Sequence, residues 1–342
     1  MSDIAMIEDT VRRTLADALT ANVIEAAEHG AWAGALWERL EAQGFLQPAA
    51  LAESGDLAEG LEIEAAVLRA AAASALPLPI AETALAGWFL ARHHLEPPTG
   101  PLSLASFAAN EALSIADGRV SGRLERVPWG RNAAGVVAMA GGAMLLLDPR
   151  AAAITPGVNL AAEPRDTLEF SNAQPIAIGG AADREQMLCR CAAVRALQMA
   201  EAAARALEIS VEYAGQRKQF GKPIGGFQAI QHQLAAAAGE VASARVAAQQ
   251  AYFALAAGQN VVFACAIAKA RANDAAGTVA RIAHQVHGAI GFTQEYQLHR
   301  FTRRIQSWRG EFGASALWNR RLGELVLGAP GRTLWSIVAS GI

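Results

Sequence analysis

The sequence predicts a mostly α-helical protein with a small β domain in its middle. Hydrophobic residues make up 53% of the 342 positions and aromatic residues only 6%, and much of the apolar excess is alanine, a strong helix former. Apolar residues recur at helical spacing in the first and last parts of the chain, whereas the middle holds short runs separated by Gly and Asp. These observations predict an N-terminal helical domain (1–100), a middle antiparallel β domain (101–180) and a C-terminal four-helix bundle (181–342).

Four helix-length patterns are expected in the N-terminal domain. They cover 4–21, 30–44, 60–75 and 80–93. Pro77 and Pro79 end one helix and place the start of the next at Ile80, which we expect to open the central helix of this domain. The Pro-Pro-Thr-Gly turn at 97–100 then marks the change to strands.

The β domain and the helical bundle are predicted from changes in the spacing of apolar residues along the chain. Strand-like runs cover 102–107, 119–127, 133–140, 143–149 and 167–178. Helical patterns then cover 183–214, 227–256, 261–288 and 298–327, and their short connections predict an up-down bundle. The alanine-rich stretches at 194–206 and 235–256 predict close helix packing.

Composition argues against several classes of protein. The net charge of −3 and the pI near 6.2 give no concentrated basic face, so no nucleic-acid partner is expected. Cys189, Cys191 and Cys265 are too few for a disulfide framework or a zinc site, and we expect them to be buried. The sequence shows no signal peptide, membrane span, Rossmann glycine fingerprint or Gly-x-Ser-x-Gly elbow, which predicts a soluble cytoplasmic protein without a membrane partner.

Two polar turns in the C-terminal half carry the chemistry expected of a phosphate-binding site. The first, RKQFGKPIGG, begins at Arg217, and the second, QVHGAIGF, begins at Gln285. Guanidinium groups bind phosphate bidentately, amides donate hydrogen bonds to it, and glycines let backbone N–H groups approach closely. These turns predict a phosphate-bearing cofactor, although a solvated basic connection between helices is the alternative for the first turn alone.

The residues of both turns resemble those of the acyl-CoA dehydrogenase family of flavoproteins. The family pattern Arg-x-x-Phe-Gly-x-x-Ile is matched from Arg217 to Ile224, and Gln-x-x-Gly-x-x-Gly-Phe is matched from Gln285 to Phe292. The resemblance covers about 183–313. It implies the order of helical, β and helical domains given above, with the flavin between the β domain and the bundle.

The resemblance also implies which residues bind FAD across a subunit interface. They are Arg217, Gln219, Phe220, Phe227 and Gln228 from the first turn and its following helix, and Gln285, His287, Gly288 and Ala289 from the second. Ala289 departs from the second glycine of the family. His284 and His287 lie three apart on one helix without a third ligand, so packing or hydrogen bonding is expected and no metal.

The β domain matches the family only loosely. The Thr-Glu-Pro and Gly-Ser-Asp segment that contacts the flavin has no counterpart, and the domain is short. The Trp-Ile-Thr segment beside the flavin ring is matched by Pro128, Trp129 and Gly130, which implies that Trp129 lies near the flavin. Domain packing is the alternative role for this side chain.

The family reaction is the α,β-dehydrogenation of an acyl-CoA. A glutamate base removes the α proton, hydride passes to flavin N5, and an electron-transfer flavoprotein takes the electrons onward. In the segment RRIQSWRGEFGAS the only carboxylate is Glu311, our candidate base, although Phe312 occupies the place before Gly313 where the family has its glutamate. The alternatives are a surface charge or an ion pair with Arg303, Arg304 or Arg309.

A second hypothesis follows from these departures. The chain would then be a non-catalytic partner subunit that contributes Arg217, Gln219 and Gln285 to the FAD of another family member. Short members paired with a longer partner are known in this family for bulky substrates such as sterol side chains. Either hypothesis implies an oligomer, homomeric or heteromeric.

Overall fold

The computed structural model describes residues 3–47, 50, 55–107, 113–328, 331–333 and 335–337. The chain forms two compact units, one of Met1–Ala71 with Leu76–Cys191 and one of Ala72–Ala75 with Ala192–Ile342. The predicted division into three domains stays a prediction, and the N-terminal helices share the first unit with the β-strands.

The helices of the first unit follow the predicted patterns, with one addition. They are α1 (Asp3–Ala18), α2 (Ala21–Glu28), α3 (Gly34–Ala42), α4 (Leu57–Ala73) and α5 (Ile80–Arg92). Helix α2 was not predicted, and Thr20 caps it by accepting a hydrogen bond from the Val23 backbone N–H at 3.4 Å. Helix α5 is buried along most of its length, as expected of a central helix.

Eight strands of the first unit form two four-stranded sheets. They are β1 (Leu102–Leu104), β2 (Leu113–Ala116), β3 (Arg119–Pro128), β4 (Gly135–Ala140), β5 (Ala143–Leu147), β6 (Ala152–Thr155), β7 (Arg165–Ala173) and β8 (Ala177–Ala181). The sheet orders are β1-β4-β5-β8 and β2-β3-β7-β6, with every pairing antiparallel except β1 with β4. Alternate residues of β3, among them Val120, pack in one core with Val136 and Leu145 of the other sheet.

The second unit is a helical bundle with a small hairpin. Its elements are α6 (Arg184–Gln216), which begins in the first unit, β9 (Lys218–Gln219), β10 (Lys222–Pro223), α7 (Gln228–Ala257), α8 (Val261–His287), α9 (Leu298–Trp308) and α10 (Ser315–Leu327). Ala200, Ala244 and Ala275 of the first three helices form one buried cluster, which confirms the predicted close packing. The three cysteines are buried, as expected. Among the described helices, none is both long and apolar enough to cross a membrane.

One predicted helix of the bundle was wrong. The pattern at 298–327 forms two helices, α9 and α10, because the chain turns sharply between them. Phe312 and Gly313 adopt positive φ angles of 53° and 105°, a region that disfavours a continuing helix. A Cβ atom at Gly313 would lie 2.3 Å from Nε1 of Trp318, so only glycine fits there.

Candidate functional site

The first polar turn is a hairpin whose backbone is fixed and whose side chains are exposed. The Arg217 backbone N–H donates to the Tyr213 carbonyl at 2.8 Å, and the Arg217 carbonyl accepts from the Ile224 N–H at 2.8 Å. Arg217 and Gln219 are exposed, and Phe220 is 91% exposed at the tip. Within the described residues, the guanidinium of Arg217 makes no ion pair with a carboxylate, so both of its N–H edges are available to a bound anion.

The segment after the hairpin is held by its own contacts. The Lys222 Nζ lies 4.4 Å from the ring centroid of Phe227, a cation–π arrangement. The Phe220 and Phe227 rings meet edge to face with centroids 6.1 Å apart. Gln228 begins α7 and is exposed. Phe227 therefore supports the hairpin, while Phe220 and Gln228 remain open to a ligand or a partner.

The second polar turn follows the end of α8. Gln285, Gly288 and Ala289 are exposed. Gly288 adopts φ 61° and ψ −140°, a conformation that side chains oppose, and a Cβ atom there would meet nothing within 4 Å. Open backbone beside an exposed amide, together with the guanidinium of Arg217, is a donor set that fits the phosphates of a dinucleotide cofactor.

His287, which we predicted to contact the cofactor, is directed into the chain. It is 4% exposed, its Nδ1–H donates to the Ala283 carbonyl at 2.8 Å, and its Nε2 lies 3.2 Å from the Tyr296 hydroxyl. Its ring stacks on Tyr213 with centroids 4.4 Å apart. Burial lowers the pKa of His287, which favours the neutral ring that these hydrogen bonds require.

His284 is also part of a packed arrangement. Its Nε2 lies 2.9 Å from the Thr302 hydroxyl and its ring stacks on Phe292 at 4.2 Å. Burial and the neighbouring histidines His287 and His299 lower the pKa of His284. In the described part of the chain, no third His, Cys, Asp or Glu joins this pair in a group that could hold a metal. These contacts are those of a packed and hydrogen-bonded histidine.

Glu311, our candidate base, is ion-paired inside the bundle. Its Oε2 lies 2.9 Å from Nη2 of Arg195, and the two side chains are 13% and 2% exposed. This arginine comes from α6, whereas the predicted alternatives Arg303, Arg304 and Arg309 lie in α9 and at its end. The carboxylate is thus held by a guanidinium in this structure, and it would have to leave Arg195 before it could accept a proton from a substrate.

Phe312 occupies the position before Gly313 where the resemblance predicts the family glutamate. The residue is 7% exposed. The Arg195 guanidinium carbon lies 5.4 Å from its ring centroid and 5.1 Å from that of Trp308. Trp318 Nε1–H donates to the Phe312 carbonyl at 3.0 Å. The backbone and the ring are therefore both held, and the position before Gly313 offers no proton acceptor on its side chain.

Lys269 fixes the same turn from α8. Its Nζ donates to Asn273 Oδ1 at 2.7 Å and to the carbonyls of Trp308 and Arg309 at 3.2 Å each. Sequence reasoning missed Lys269 and Arg195. The signal that could have found them is a cation placed among alanines at apolar positions of a helix, because such a charge must find a partner when that face is buried.

Replacement of Lys269 by methionine should change how stability depends on pH. Burial, and then the nearby positive charge of Arg195, lower the pKa of Lys269 from 10.5 to about 7. Between these values the unfolded chain binds a proton that the folded chain does not, so the stability contributed by this group rises with pH. Relative to Lys269→Met, the free energy of unfolding of the wild type should increase by about 1.4 kcal/mol per pH unit between pH 7 and 9.5.

Denaturant titrations across that range measure the difference. Lys218→Met is the matched control, because it removes the same charge from an exposed position. A difference between wild type and Lys269→Met that stays constant from pH 7 to 9.5 would contradict the assigned titration.

Trp129 belongs to the first unit and is packed there. It is 7% exposed, with its ring centroid 6.1 Å from that of Trp32 in an edge-on contact. The φ angle of Trp129 is 53°, and its backbone N–H donates to the Pro164 carbonyl at 3.1 Å. Asp166 holds the following turn by accepting from the Arg131 backbone N–H at 2.7 Å. The contacts match the packing alternative, and proximity to a flavin stays a prediction.

Comparison with known proteins identifies a family domain in the C-terminal part of the chain. The family model for the acyl-CoA dehydrogenase C-terminal domain matches residues 184–326. Acyl-CoA dehydrogenase FadE34 of Mycobacterium tuberculosis is 40% identical over 133 residues, which are 38% of this chain and 19% of that protein. Acyl-CoA dehydrogenase IpdE2 of Mycolicibacterium smegmatis is 31% identical over 147 residues, 42% of this chain and 46% of that protein. The matched region thus spans less than half of each of these relatives.

Solved structures share the fold over nearly the whole chain. A chain of the steroid acyl-CoA dehydrogenase Tcur3481–Tcur3483 superposes with a TM-score of 0.86 at 24% identity, covering 95% of this chain and 98% of that one. A chain of the ChsE4–ChsE5 complex of M. tuberculosis gives 0.86 at 21% identity, covering 97% and 99%. Residues 184–326 therefore match the C-terminal domain of the acyl-CoA dehydrogenases, and the chain has the fold of these solved structures.

Proposed function

We propose that this chain is the non-catalytic partner subunit of an acyl-CoA dehydrogenase, completing the FAD site of another family member in a heteromer. The observation that carries the proposal is the occupancy of the base position. The side chain before Gly313 is the buried ring of Phe312, and the neighbouring carboxylate of Glu311 is paired with Arg195. The α-proton acceptor of the reaction would then come from the other subunit.

The exposed polar turns support a role at a shared cofactor site. Arg217 and Gln219 from the first turn, and Gln285 with the Gly288 backbone from the second, would hold the phosphates of FAD. Phe220 would pack against the cofactor or the partner, which would remove its exposed ring from water. When bound, the flavin supplies the hydride acceptor. This chain's residues supply charge neutralisation and orientation.

The substrate class and the electron acceptor follow from family likeness. Two of the similar structures, Tcur3481–Tcur3483 and ChsE4–ChsE5, pair two different proteins, and the first is a steroid acyl-CoA dehydrogenase. We propose an acyl-CoA with a bulky acyl group, such as a sterol side chain, as the substrate of the assembled enzyme. An electron-transfer flavoprotein would take the electrons onward.

A second candidate function keeps the whole reaction on this chain, with Glu311 as the base. The observation that favours it is the remaining exposure of that side chain, 13%, in the turn where the family places its glutamate. Catalysis would then require the carboxylate to leave Arg195 when the substrate binds. This candidate predicts that the chain alone, loaded with FAD, reduces its flavin with an acyl-CoA.

Oligomeric state and flavin content together test the proposed function. We expect the chain to form a dimer or a larger assembly with a full-length acyl-CoA dehydrogenase chain from the same source, and only that assembly should bind FAD stoichiometrically. Light scattering at micromolar concentration and flavin absorbance measure both properties. A monodisperse monomer that ignores every candidate partner would contradict the proposal. Stoichiometric FAD and acyl-CoA oxidation by the chain alone would favour the second candidate.

A further inference from the structure

Three aromatic side chains join the two polar turns inside the second unit. Tyr213 lies on the last turn of α6, four residues before Arg217, and His287 ends α8 directly before Gly288. The ring of His287 stacks on Tyr213 with an interplanar angle of 24°. Tyr296 completes the group, with ring centroids 5.0 Å from His287 and 6.0 Å from Tyr213. We name these three residues the Tyr-His-Tyr stack.

A backbone hydrogen bond links the stack to the first turn, and chain connectivity with tight packing at His287 links it to the second. On one side, the carbonyl of Tyr213 accepts the N–H of Arg217 at 2.8 Å, so a shift of Tyr213 moves the start of the hairpin. On the other side, the Gly288 N–H donates to the His284 carbonyl. A Cβ atom at Gly291 would lie 2.9 Å from the Cβ of His287, so the second turn packs tightly on that residue.

Hydrogen bonds set the orientation of the central ring. Because the Ala283 carbonyl can only accept, Nδ1 of His287 carries the proton, and Nε2 accepts from the Tyr296 hydroxyl. With both nitrogens engaged and 4% exposure, His287 has no polar atom left for a ligand. A ring fixed by two hydrogen bonds and one stacking partner transmits displacement between its neighbours, because a closely packed side chain cannot reorient without moving them.

We infer that the Tyr-His-Tyr stack couples the two polar turns so that they are ordered together, with His287 as a positioning residue for both. The inference rests on the proposed function only in regarding the turns as one cofactor site. With this coupling, a ligand that binds one turn would also order the other turn before that second turn contacts the ligand. Less conformational entropy would then be lost when the second contact forms.

Hydrogen exchange of backbone amides in the full chain without FAD tests the coupling. The reporters are Arg217 and Ile224 in the first turn, and Gly288 and Thr293 in the second, because each N–H is hydrogen-bonded. We expect His287→Ala to speed exchange at all four amides by about three- to tenfold. This factor corresponds to the free energy that one aromatic stacking contact contributes. Tyr213→Ala should likewise speed exchange at Gly288 and Thr293.

Tyr252→Ala is the matched control. Tyr252 is buried in α7 of the same unit but is not part of the stack, so its loss should leave the ratios among the four reporters unchanged. If His287→Ala does not fold, Tyr296→Phe removes only the hydroxyl and should still speed exchange in both turns. Faster exchange confined to the turn that carries the substitution would overturn the inference.

Flavin binding separates this inference from the proposed function. Coupled exchange in a chain that never binds FAD, with or without a partner, would leave the coupling standing and remove the proposed function. Stoichiometric FAD binding with exchange effects confined to one turn would support the proposed function and remove the coupling.

Discussion

Glu311→Gln should lower the free energy of unfolding by about 3 kcal/mol, because it leaves the buried charge of Arg195 without its carboxylate. Glutamine keeps the shape of glutamate and can still accept a hydrogen bond. The decrease in the free energy of unfolding therefore measures the contribution of the negative charge. If this chain is the partner subunit, flavin reduction in the assembled enzyme should stay within about twofold of wild type at temperatures where the variant is folded. Denaturant titration and stopped-flow absorbance measure the two effects.

The control is Glu208→Gln on the same helix as Arg195. Glu208 pairs with Arg205 at 3.0 Å but its side chain is 55% exposed, so its loss should cost about 0.5 kcal/mol or less. A fall in flavin reduction of about 10²-fold or more for Glu311→Gln, with unchanged FAD content, would instead identify Glu311 as the base. The second candidate function would then replace the first.

Arg217→Ala should weaken FAD binding by the assembled enzyme by about 1.5–3 kcal/mol, the contribution of a hydrogen bond to a charged group. The expected increase in dissociation constant is therefore about 10- to 150-fold. The side chain is exposed in the hairpin, so its removal should leave the stability of the chain nearly unchanged. Fluorescence titration of the apoprotein with FAD measures the affinity.

Lys218→Ala separates a specific contact from general electrostatics. The two residues are adjacent, exposed and equally charged, yet only Arg217 matches the family motif. Equal losses of affinity in both variants would mean that the hairpin attracts the cofactor only by its net charge. No loss in either variant would remove the first turn from the site.

Local signals in the sequence predicted most of the fold. The helices that begin at Ile80 and Val261 start at the predicted residues. The prolines before Ile80 predicted the first start, and the return of helical spacing among apolar residues predicted the second. The break between α9 and α10 escaped prediction, because it depends on a left-handed Phe312 whose ring packs against Arg195, which is distant in sequence. Helix α2 and the strands β2 and β6 were also missed, since four to eight residues carry too little periodicity.

In the candidate site too, residues within local motifs were predictable, and residues whose environment depends on distant partners were not. The predicted cofactor contacts Arg217 and Gln285 belong to contiguous motifs, and the structure shows both side chains exposed on the turns that the motifs define. The environments of Glu311 and His287 depended on partners from other helices, Arg195 at a separation of 116 residues (311 minus 195) and Tyr213 at 74 (287 minus 213). A sequence pattern carries no distance information at such separations, so the ion pair and the stack had to be found in three dimensions.

The exposed rings of Phe220 and Phe292 have a consequence for the life of this chain in the cell. They are 91% and 72% exposed, and covering each ring is worth about 1.5–3 kcal/mol. Together they would raise an association constant by about 10²- to 10⁴-fold. If the chain is a partner subunit as proposed, its synthesis in excess of the other subunit would leave this apolar surface in solution, available to chaperones or to aggregation. Equal amounts of the two polypeptides would then keep the surface covered.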